Sequence, residues 1–190
     1  MGQQHKDTCS LEREKTMTRR NFLTSSSQVA LGLMLPSLGA AALPVSRSLN
    51  FYHTHTEERL TIDYTPGQFK GSVRRAVEYF LRDFRTGDIH PIDSGILDIL
   101  YDIRVCCQRK GTFEVISGYR SARTNALLRK VSNGVAKRSY HMQGRAIDVR
   151  FCGLETDKLR DVAISLHDGG VGYYPESNFV HLDTGRKRVW

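Results

Sequence analysis

The sequence is poor in cysteine, and the four cysteines form no pattern that would define a fold or a metal site. Cys9, Cys106, Cys107 and Cys152 contain no C-x-x-C spacing. The adjacent pair, Cys106 and Cys107, is badly placed to form a disulfide with itself. Neither a disulfide framework nor a cysteine-ligated zinc site is therefore indicated. Any metal would need histidine and carboxylate ligands.

The sequence also lacks the compositions of disordered, collagen-like and polytopic membrane proteins. Its 190 residues are 39% hydrophobic and 25% charged, which is ordinary for one soluble domain with a short extra segment. Lysine and arginine number 28 against 20 acidic residues, so the net charge is +8. Such an excess suits nucleic acid, an anionic membrane surface or an acidic polymer. No RNP-like aromatic motif and no stripe of lysine and arginine supports nucleic acid as the partner.

Residues 1–42 have the pattern of a leader with an export signal. Arg19 and Arg20 precede a mostly apolar run at 29–35, and the small residues Ala40 and Ala42 follow it. The run is too short and too interrupted to span a bilayer comfortably, and the two alanines provide an A-x-A cleavage site. The paired arginines resemble a twin-arginine signal, which exports folded proteins to the periplasm. An uncleaved N-terminal anchor is the alternative.

Residues 43–190 are predicted to form the single functional domain. Met17 stands just before the arginine pair and is an alternative start to Met1. Cleavage after Ala42 would leave 23 basic and 17 acidic residues and no stable membrane span. In a periplasm, the large polyanion nearby is the cell wall, whose stem peptides carry carboxylates.

Short segments of helical or alternating pattern follow one another along this domain. Extended segments are predicted at 49–52 and 59–64, helices at 69–85, at 94–105 and after Ser121, and strands at 113–116, 146–151 and 179–183. Strand alternation sets His181 and Asp183 on one face of the last strand, and Asp148 on the polar face of the strand before it. If these two strands pair, the three side chains converge.

His141 can complete this group, because the loop through Gly144 leads from it to Asp148. Two imidazoles and one carboxylate leave a fourth zinc position open for water, as in catalytic sites. Zinc lowers the pKa of that water, which makes amide hydrolysis the natural chemistry. By spacing alone, the alternative that His141 and His181 are surface or structural histidines stays open.

Four further residues are assigned roles around this predicted site. Asp183 is the candidate general base, and Arg120 could hold a substrate carboxylate or the developing oxyanion. Ser139 would supply a hydrogen bond, and Gly144 a tight backbone turn. Aromatic residues that could line the cleft and pack on a substrate are Tyr119, Tyr140, Tyr173 and Tyr174. Half-buried positions in a strand are the equal alternative for Tyr173 and Tyr174.

Three separated motifs give these residues a family resemblance. They are Ser117-Gly118-Tyr119-Arg120-Ser121, Ser139-x-His141-x-x-Gly144-x-Ala146-x-Asp148 and Phe179-Val180-His181-Leu182-Asp183-Thr184-Gly185. In this order they resemble the zinc D-Ala-D-Ala peptidases of peptidase family M15, which share a fold with lysostaphin-type enzymes and hedgehog. The resemblance is greatest to the YcbK-type murein endopeptidases.

The resemblance implies an α+β fold, a small antiparallel sheet with flanking helices. It implies zinc held by His141, Asp148 and His181, with Arg120 in the substrate cleft. The implied reaction is hydrolysis of peptide cross-links in peptidoglycan, between two diaminopimelate residues or between D-Ala and diaminopimelate. The implied partners are the stem peptides.

One departure from the family pattern concerns the general base. Many relatives have an acidic residue three positions before the last histidine ligand, where this chain has Asn178. Asp183 and Glu176 are the nearby carboxylates that could replace it. Alternatively, Asp183 only orients His181. The departure also keeps two other functions open, namely a non-catalytic wall-binding module and a carboxypeptidase or amidase acting on muropeptides.

Overall fold

The computed structural model describes residues 46–132, 134–166 and 169–190. The predicted leader at 1–42, with its signal and its cleavage site, lies outside the described residues. Among the helices in the described ranges, none is long and apolar enough to cross a membrane.

The described residues form seven strands, four α-helices and one short 3-10 helix. In order, they are β1 (Arg47–His53), β2 (Arg59–Tyr64), α1 (Gly71–Phe80), α2 (Gly95–Cys106), β3 (Thr112–Ser117), α3 (Ala122–Val131), a 3-10 helix (Tyr140–Gln143), β4 (Ala146–Phe151), α4 (Thr156–Leu166), β5 (Gly170–Tyr174), β6 (Phe179–Asp183) and β7 (Arg188–Val189). The fold is α+β, as predicted.

The sheet differs from the small antiparallel sheet that was expected. Its order is β2-β1-β3-β4-β6-β5-β7, and β1 pairs with β3, and β5 with β7, in parallel. The other neighbours are antiparallel. A parallel pair needs a long crossover, and between β1 and β3 the chain supplies it with β2, α1 and α2. The expectation of an antiparallel sheet was therefore wrong, and the sheet is mixed.

The core lies between the sheet and the helices α2 and α4, which contact each other and the strands. Leu97, Leu100 and Ile103 of α2 are fully buried against it, as are Ile147 and Val149 of β4. Because side chains alternate along a strand, Asp148 lies on the sheet face opposite to these two apolar neighbours. The core thus fixes the sheet, and the sheet presents the polar residues of β4 and β6 on its other face.

Helix α1 ends earlier than the predicted 69–85, because the chain turns around a buried carboxylate. Asp83 is 1% exposed and accepts hydrogen bonds from the backbone N–H of Arg85 at 3.0 Å and of Ser121 at 2.9 Å. The backbone N–H of Tyr119 donates to the carbonyl of Leu81 at 2.7 Å. The end of α1 therefore anchors the segment that leaves β3 and carries Arg120.

Gly144 is needed where the 3-10 helix ends. Its φ is +64°, and a Cβ there would lie 2.1 Å from the carbonyl oxygen of Pro91. The neighbouring atom is backbone, so it cannot swing away. Only glycine fits this position, which sets the path from His141 to β4.

We expect Gly144→Ala to lower the free energy of unfolding by more than about 2 kcal/mol, because it combines a left-handed backbone with a clash. Gly67→Ala is the matched control, since Gly67 has φ +74° and nothing within 4 Å of the added Cβ. It should cost about 1 kcal/mol. Urea denaturation of both variants measures the difference, and equal losses would contradict the role of the Pro91 contact.

Candidate metal centre

Three neighbouring elements bring His141, Asp148 and His181 together. Asp148 on β4 is the direct cross-strand partner of His181 on β6. His141 lies on the 3-10 helix that precedes β4. This helix begins at Ser139, whose hydroxyl accepts a hydrogen bond from the backbone N–H of His141 at 3.3 Å, and it ends at Gly144. Ser139 and Gly144 therefore flank the short helix that carries His141.

One potential ligand atom from each of the three side chains points towards the same small volume. His141 Nε2 lies 3.2 Å from Asp148 Oδ1 and 3.2 Å from His181 Nδ1, and the last two atoms are 2.8 Å apart. All three residues are at most 8% exposed. Two imidazole nitrogens and one carboxylate oxygen, buried and this close, form a donor set that fits a divalent metal ion.

The opposite side of each imidazole is held by an oxygen acceptor. His141 Nδ1 is 2.7 Å from the carbonyl oxygen of Gly118, and His181 Nε2 is 3.0 Å from Asp183 Oδ2. With a proton on each of these nitrogens, the nitrogen facing that small volume carries a free lone pair. Such contacts fix the tautomer and the ring orientation of metal-binding histidines.

Asp183 is itself held on several sides. It is fully buried, and Arg188 binds it with Nη1 at 3.1 Å and Nη2 at 2.5 Å. The backbone N–H groups of Gly185 and Gly170 donate to its Oδ1 at 2.8 Å and 3.3 Å. The carboxylate lies behind the His181 ring, because it binds Nε2 while Nδ1 faces the other two ligands.

Burial and neighbouring charges set the ionisation of the three candidate ligands. Burial lowers the pKa of His141, so this imidazole is neutral. Burial opposes the ionisation of Asp148, but His141 and His181 outweigh it and hold the carboxyl pKa well below its usual range. Burial also opposes charge on His181, yet its bonds to Asp148 and Asp183 raise its pKa to about 9. A metal ion would take the place of that proton, so binding releases it.

Arg120 lies beside the three ligands. Its Nη2 is 3.7 Å from Asp148 Oδ2 and 3.4 Å from the hydroxyl of Ser117, and its backbone N–H donates to the His141 carbonyl at 3.1 Å. The buried Nε has no partner among the described residues. Burial lowers the pKa of this guanidinium. A buried cation therefore lies beside the three candidate ligands.

A cleft of about 540 Å³ opens over the site. Tyr140 and Tyr174 line it, as expected, but Tyr119 and Tyr173 do not. The ring of Tyr119 stacks on His90 instead, with centroids 4.6 Å apart. Its prediction as a cleft residue is wrong, because successive side chains in an extended segment point in opposite directions and Arg120 takes the cleft side.

Neither Glu176 nor Asn178 is among the residues that line the cleft. Glu176 is exposed on the turn between β5 and β6. Asn178 has φ +52°, and its Oδ1 accepts a hydrogen bond from Thr156 of α4 at 2.8 Å. Asparagine suits this left-handed turn position better than most residues. Among the cleft-lining residues that the structure describes, Asp148 is the sole carboxylate.

The sequence analysis missed Arg188 and Trp190. The Trp190 ring lies 5.3 Å from the His181 ring, and its Nε1 donates to the hydroxyl of Tyr174 at 2.9 Å. Arg188 and Trp190 share one side of the short strand β7, which alternation from Arg188 could have indicated. No sequence feature near β7 predicts that this strand pairs with β5.

Comparison with known proteins agrees with this geometry. The peptidase M15 family model described as peptidoglycan L,D-endopeptidase MepK matches residues 41–190. The chain belongs to this family. No solved structure matches the chain.

Curated members of this M15 family are similar over nearly their whole length. A probable peptidoglycan L,D-endopeptidase MepK of Haemophilus influenzae is 42% identical over 90% of this chain and 95% of its own. The peptidoglycan L,D-endopeptidase MepK of Escherichia coli K12 is 38% identical over 93% of this chain and 100% of its own. M15 peptidases are metallopeptidases, which fits the cluster of two histidines and an aspartate.

We expect Asp183→Asn to weaken metal binding by about 10- to 100-fold, because the His181 ring loses its charged acceptor. Competition with a chromogenic chelator measures the affinity. Asp63→Asn is the control, because Asp63 is exposed on β2. The metal affinity of this control variant should equal that of the parent protein. An affinity of Asp183→Asn within twofold of the parent protein would contradict the role given to the carboxylate.

Proposed function

We propose that this chain is a peptidoglycan L,D-endopeptidase whose metal is Zn²⁺. The observation that carries the proposal is the convergence of His141 Nε2, Asp148 Oδ1 and His181 Nδ1 beneath a cleft, in a chain of this family. The names of its relatives supply the substrate, peptidoglycan. Within it, the proposed targets are the cross-links between stem peptides, namely the bond between two diaminopimelate residues and the related link between D-Ala and diaminopimelate.

His141, Asp148 and His181 would hold the metal through those three atoms. A bound zinc ion supplies Lewis acidity towards the scissile carbonyl and lowers the pKa of a water molecule. The carbonyl of Gly118 and the carboxylate of Asp183 keep the two imidazoles oriented. Ser139 and Gly144 maintain the loop that places His141, and Tyr140 offers an aromatic wall for the stem peptide.

Arg120 is proposed to bind the negative charge of the reacting group. Arg120 lines the cleft next to Asp148, so the Nη groups of its guanidinium can donate to a substrate carboxylate or to the oxyanion that forms at the scissile carbonyl. Arginine is suited to this task because it stays charged and its donors form a planar fork.

We infer that Asp183 positions His181 and is not the general base. Its carboxylate is occupied by His181, Arg188 and Gly185, and it lies on the side of the imidazole away from Asp148. A group that takes a proton from water at the cleft would have to face the cleft. This favours the second of the two roles considered from the sequence.

The proposed location is the periplasm. Residues 1–42 would be a leader with a twin-arginine signal, and residues 43–190 would be the exported metallopeptidase domain. The basic charge of the chain and the cell-wall substrate of its relatives both support this arrangement. Because the proposed substrate is peptidoglycan, nucleic acid is not among the proposed partners.

The direct test is digestion of purified muropeptide dimers that contain one or the other cross-link. With zinc, we expect dimers to become monomers with the gain of one water per bond, read by chromatography and mass spectrometry. Chelator should stop the reaction, zinc should restore it, and His181→Ala should be inactive. Release of a single terminal amino acid would instead indicate a carboxypeptidase, and release of glycan an amidase. Intact dimers despite bound zinc would indicate a wall-binding module, the candidate that Asn178 favours.

A second test concerns Arg120. We expect Arg120→Gln to lower kcat/KM on the dimer by about 10²- to 10³-fold. Zinc affinity should not weaken, because a positive charge near Asp148 has been removed. Arg75→Gln, on the exposed surface of α1, is the control and should behave like the parent protein. Loss of zinc together with activity would show that Arg120 supports the fold of the site and does not bind substrate.

A further inference from the structure

A long segment beside the cleft carries no negative charge. No acidic residue occurs between Glu114 and Asp148, whereas seven arginines and lysines do. The lysines and arginines of this segment do not form a dense run. Its distinguishing feature is the absence of acidic residues. The helix α3 and the loop after it lie within it.

The loop after α3 forms one wall of the cleft, and α3 leads into this loop. Loop residues that line the cleft are Ser132, Gly134, Val135, Ala136 and Arg138. The side chain of Asn125 on α3 donates to the carbonyl of Ala136 at 3.1 Å, which ties the loop to the helix. At its other end, α3 begins at Ser121, whose hydroxyl accepts from the backbone N–H of Thr124. The wall is therefore a continuation of the Arg120 segment.

Five exposed cations on α3 and the loop after it form what we call the basic rim. They are Arg123, Arg129, Lys130, Lys137 and Arg138. In the described parts of the chain, none of the five has an ion-pair partner, while arginines elsewhere pair with acids, as Arg82 does with Glu58 and Arg145 with Asp93. Arg138 lines the cleft, and the other four cations belong to the segment that leads to it. Unmatched positive charge in one segment beside a cleft attracts a polyanion.

The chemistry of the rim distinguishes an anionic polymer from a lipid surface. Its exposed large apolar side chains are Leu127 and Val131, and it carries no aromatic residue. A helix that lies in a membrane interface usually presents a broad apolar face with Trp or Phe beside its basic residues.

We propose that the basic rim binds carboxylates of the stem peptides that neighbour the cross-link in polymeric peptidoglycan. The proposal rests on the proposed function and extends it from the scissile bond to the surrounding polymer. A released dimer offers few carboxylates beyond those in the cleft, whereas the polymer offers them repeatedly. The rim therefore makes the intact wall a better substrate than its soluble fragments.

The test compares two variants of equal charge. The rim variant is Arg123→Gln, Arg129→Gln, Lys130→Gln and Lys137→Gln, which spares the cleft-lining Arg138. The control variant replaces four exposed cations outside the rim, at Lys70, Arg75, Lys110 and Lys158. Each full-length protein is pelleted with purified sacculi over a range of salt concentrations. Rates are measured on sacculi and on soluble dimers.

We expect the rim variant to bind sacculi about tenfold more weakly than the control variant, with a shallower dependence on salt. The ratio of its rate on sacculi to its rate on dimers should fall at least fivefold. Sacculi whose carboxyl groups have been converted to amides should bind the parent protein as weakly as untreated sacculi bind the rim variant.

Equal losses in the two variants would overturn the proposal, because net charge alone would then explain them. Retained binding by the rim variant would overturn it as well. Loss of binding to anionic phosphatidylglycerol vesicles, with binding to sacculi intact, would assign the rim to a membrane instead. If the parent protein cleaves no dimer, the proposed function fails, but the comparison of binding to sacculi still decides the role of the rim.

Discussion

The pairing of β4 with β6, which sets Asp148 opposite His181, is the constraint on which the candidate site depends. If one of the two strands slipped by one residue, its own polar side chain, Asp148 or His181, would turn to the apolar face, and Ile147 or Leu182 would turn to the cleft. The buried side chains on that apolar face prevent such a slip, because they pack against the helices. The hydrophobic core thus sets the position of the polar site without contacting a substrate.

A chain of charged contacts then holds the ligands in place. Arg188 binds Asp183, Asp183 binds His181, and His181 meets Asp148 and His141. Buried charges of this kind are costly unless each has a partner. In the described residues, the positive charge between the carboxylates of Asp148 and Asp183 is the proton on His181. A divalent cation at the three ligands would balance these two negative charges better. The site is therefore built around positive charge at its centre.

Much of this could be predicted from the sequence, where the signal was local. Alternation in 146–151 and 179–183 indicated which residues share a face, and Ser121 indicated the start of α3. The mixed sheet could not be predicted, because the parallel pairing of β1 with β3 depends on distant packing. Arg188 was missed for the same reason, since β7 has two residues and acquires its meaning from β5. Asp183 was recognised from the sequence as a candidate site residue, but only the contacts around it indicate which of its two possible roles it has.

The most direct measurement of the central claim is a crystal structure of the zinc-loaded protein, with anomalous scattering recorded at the zinc edge. The account predicts one zinc ion bound by His141 Nε2, Asp148 Oδ1 and His181 Nδ1, with Asp183 still on the far side of the His181 ring. A zinc ion bound elsewhere, or one that takes Asp183 as a ligand, would contradict it.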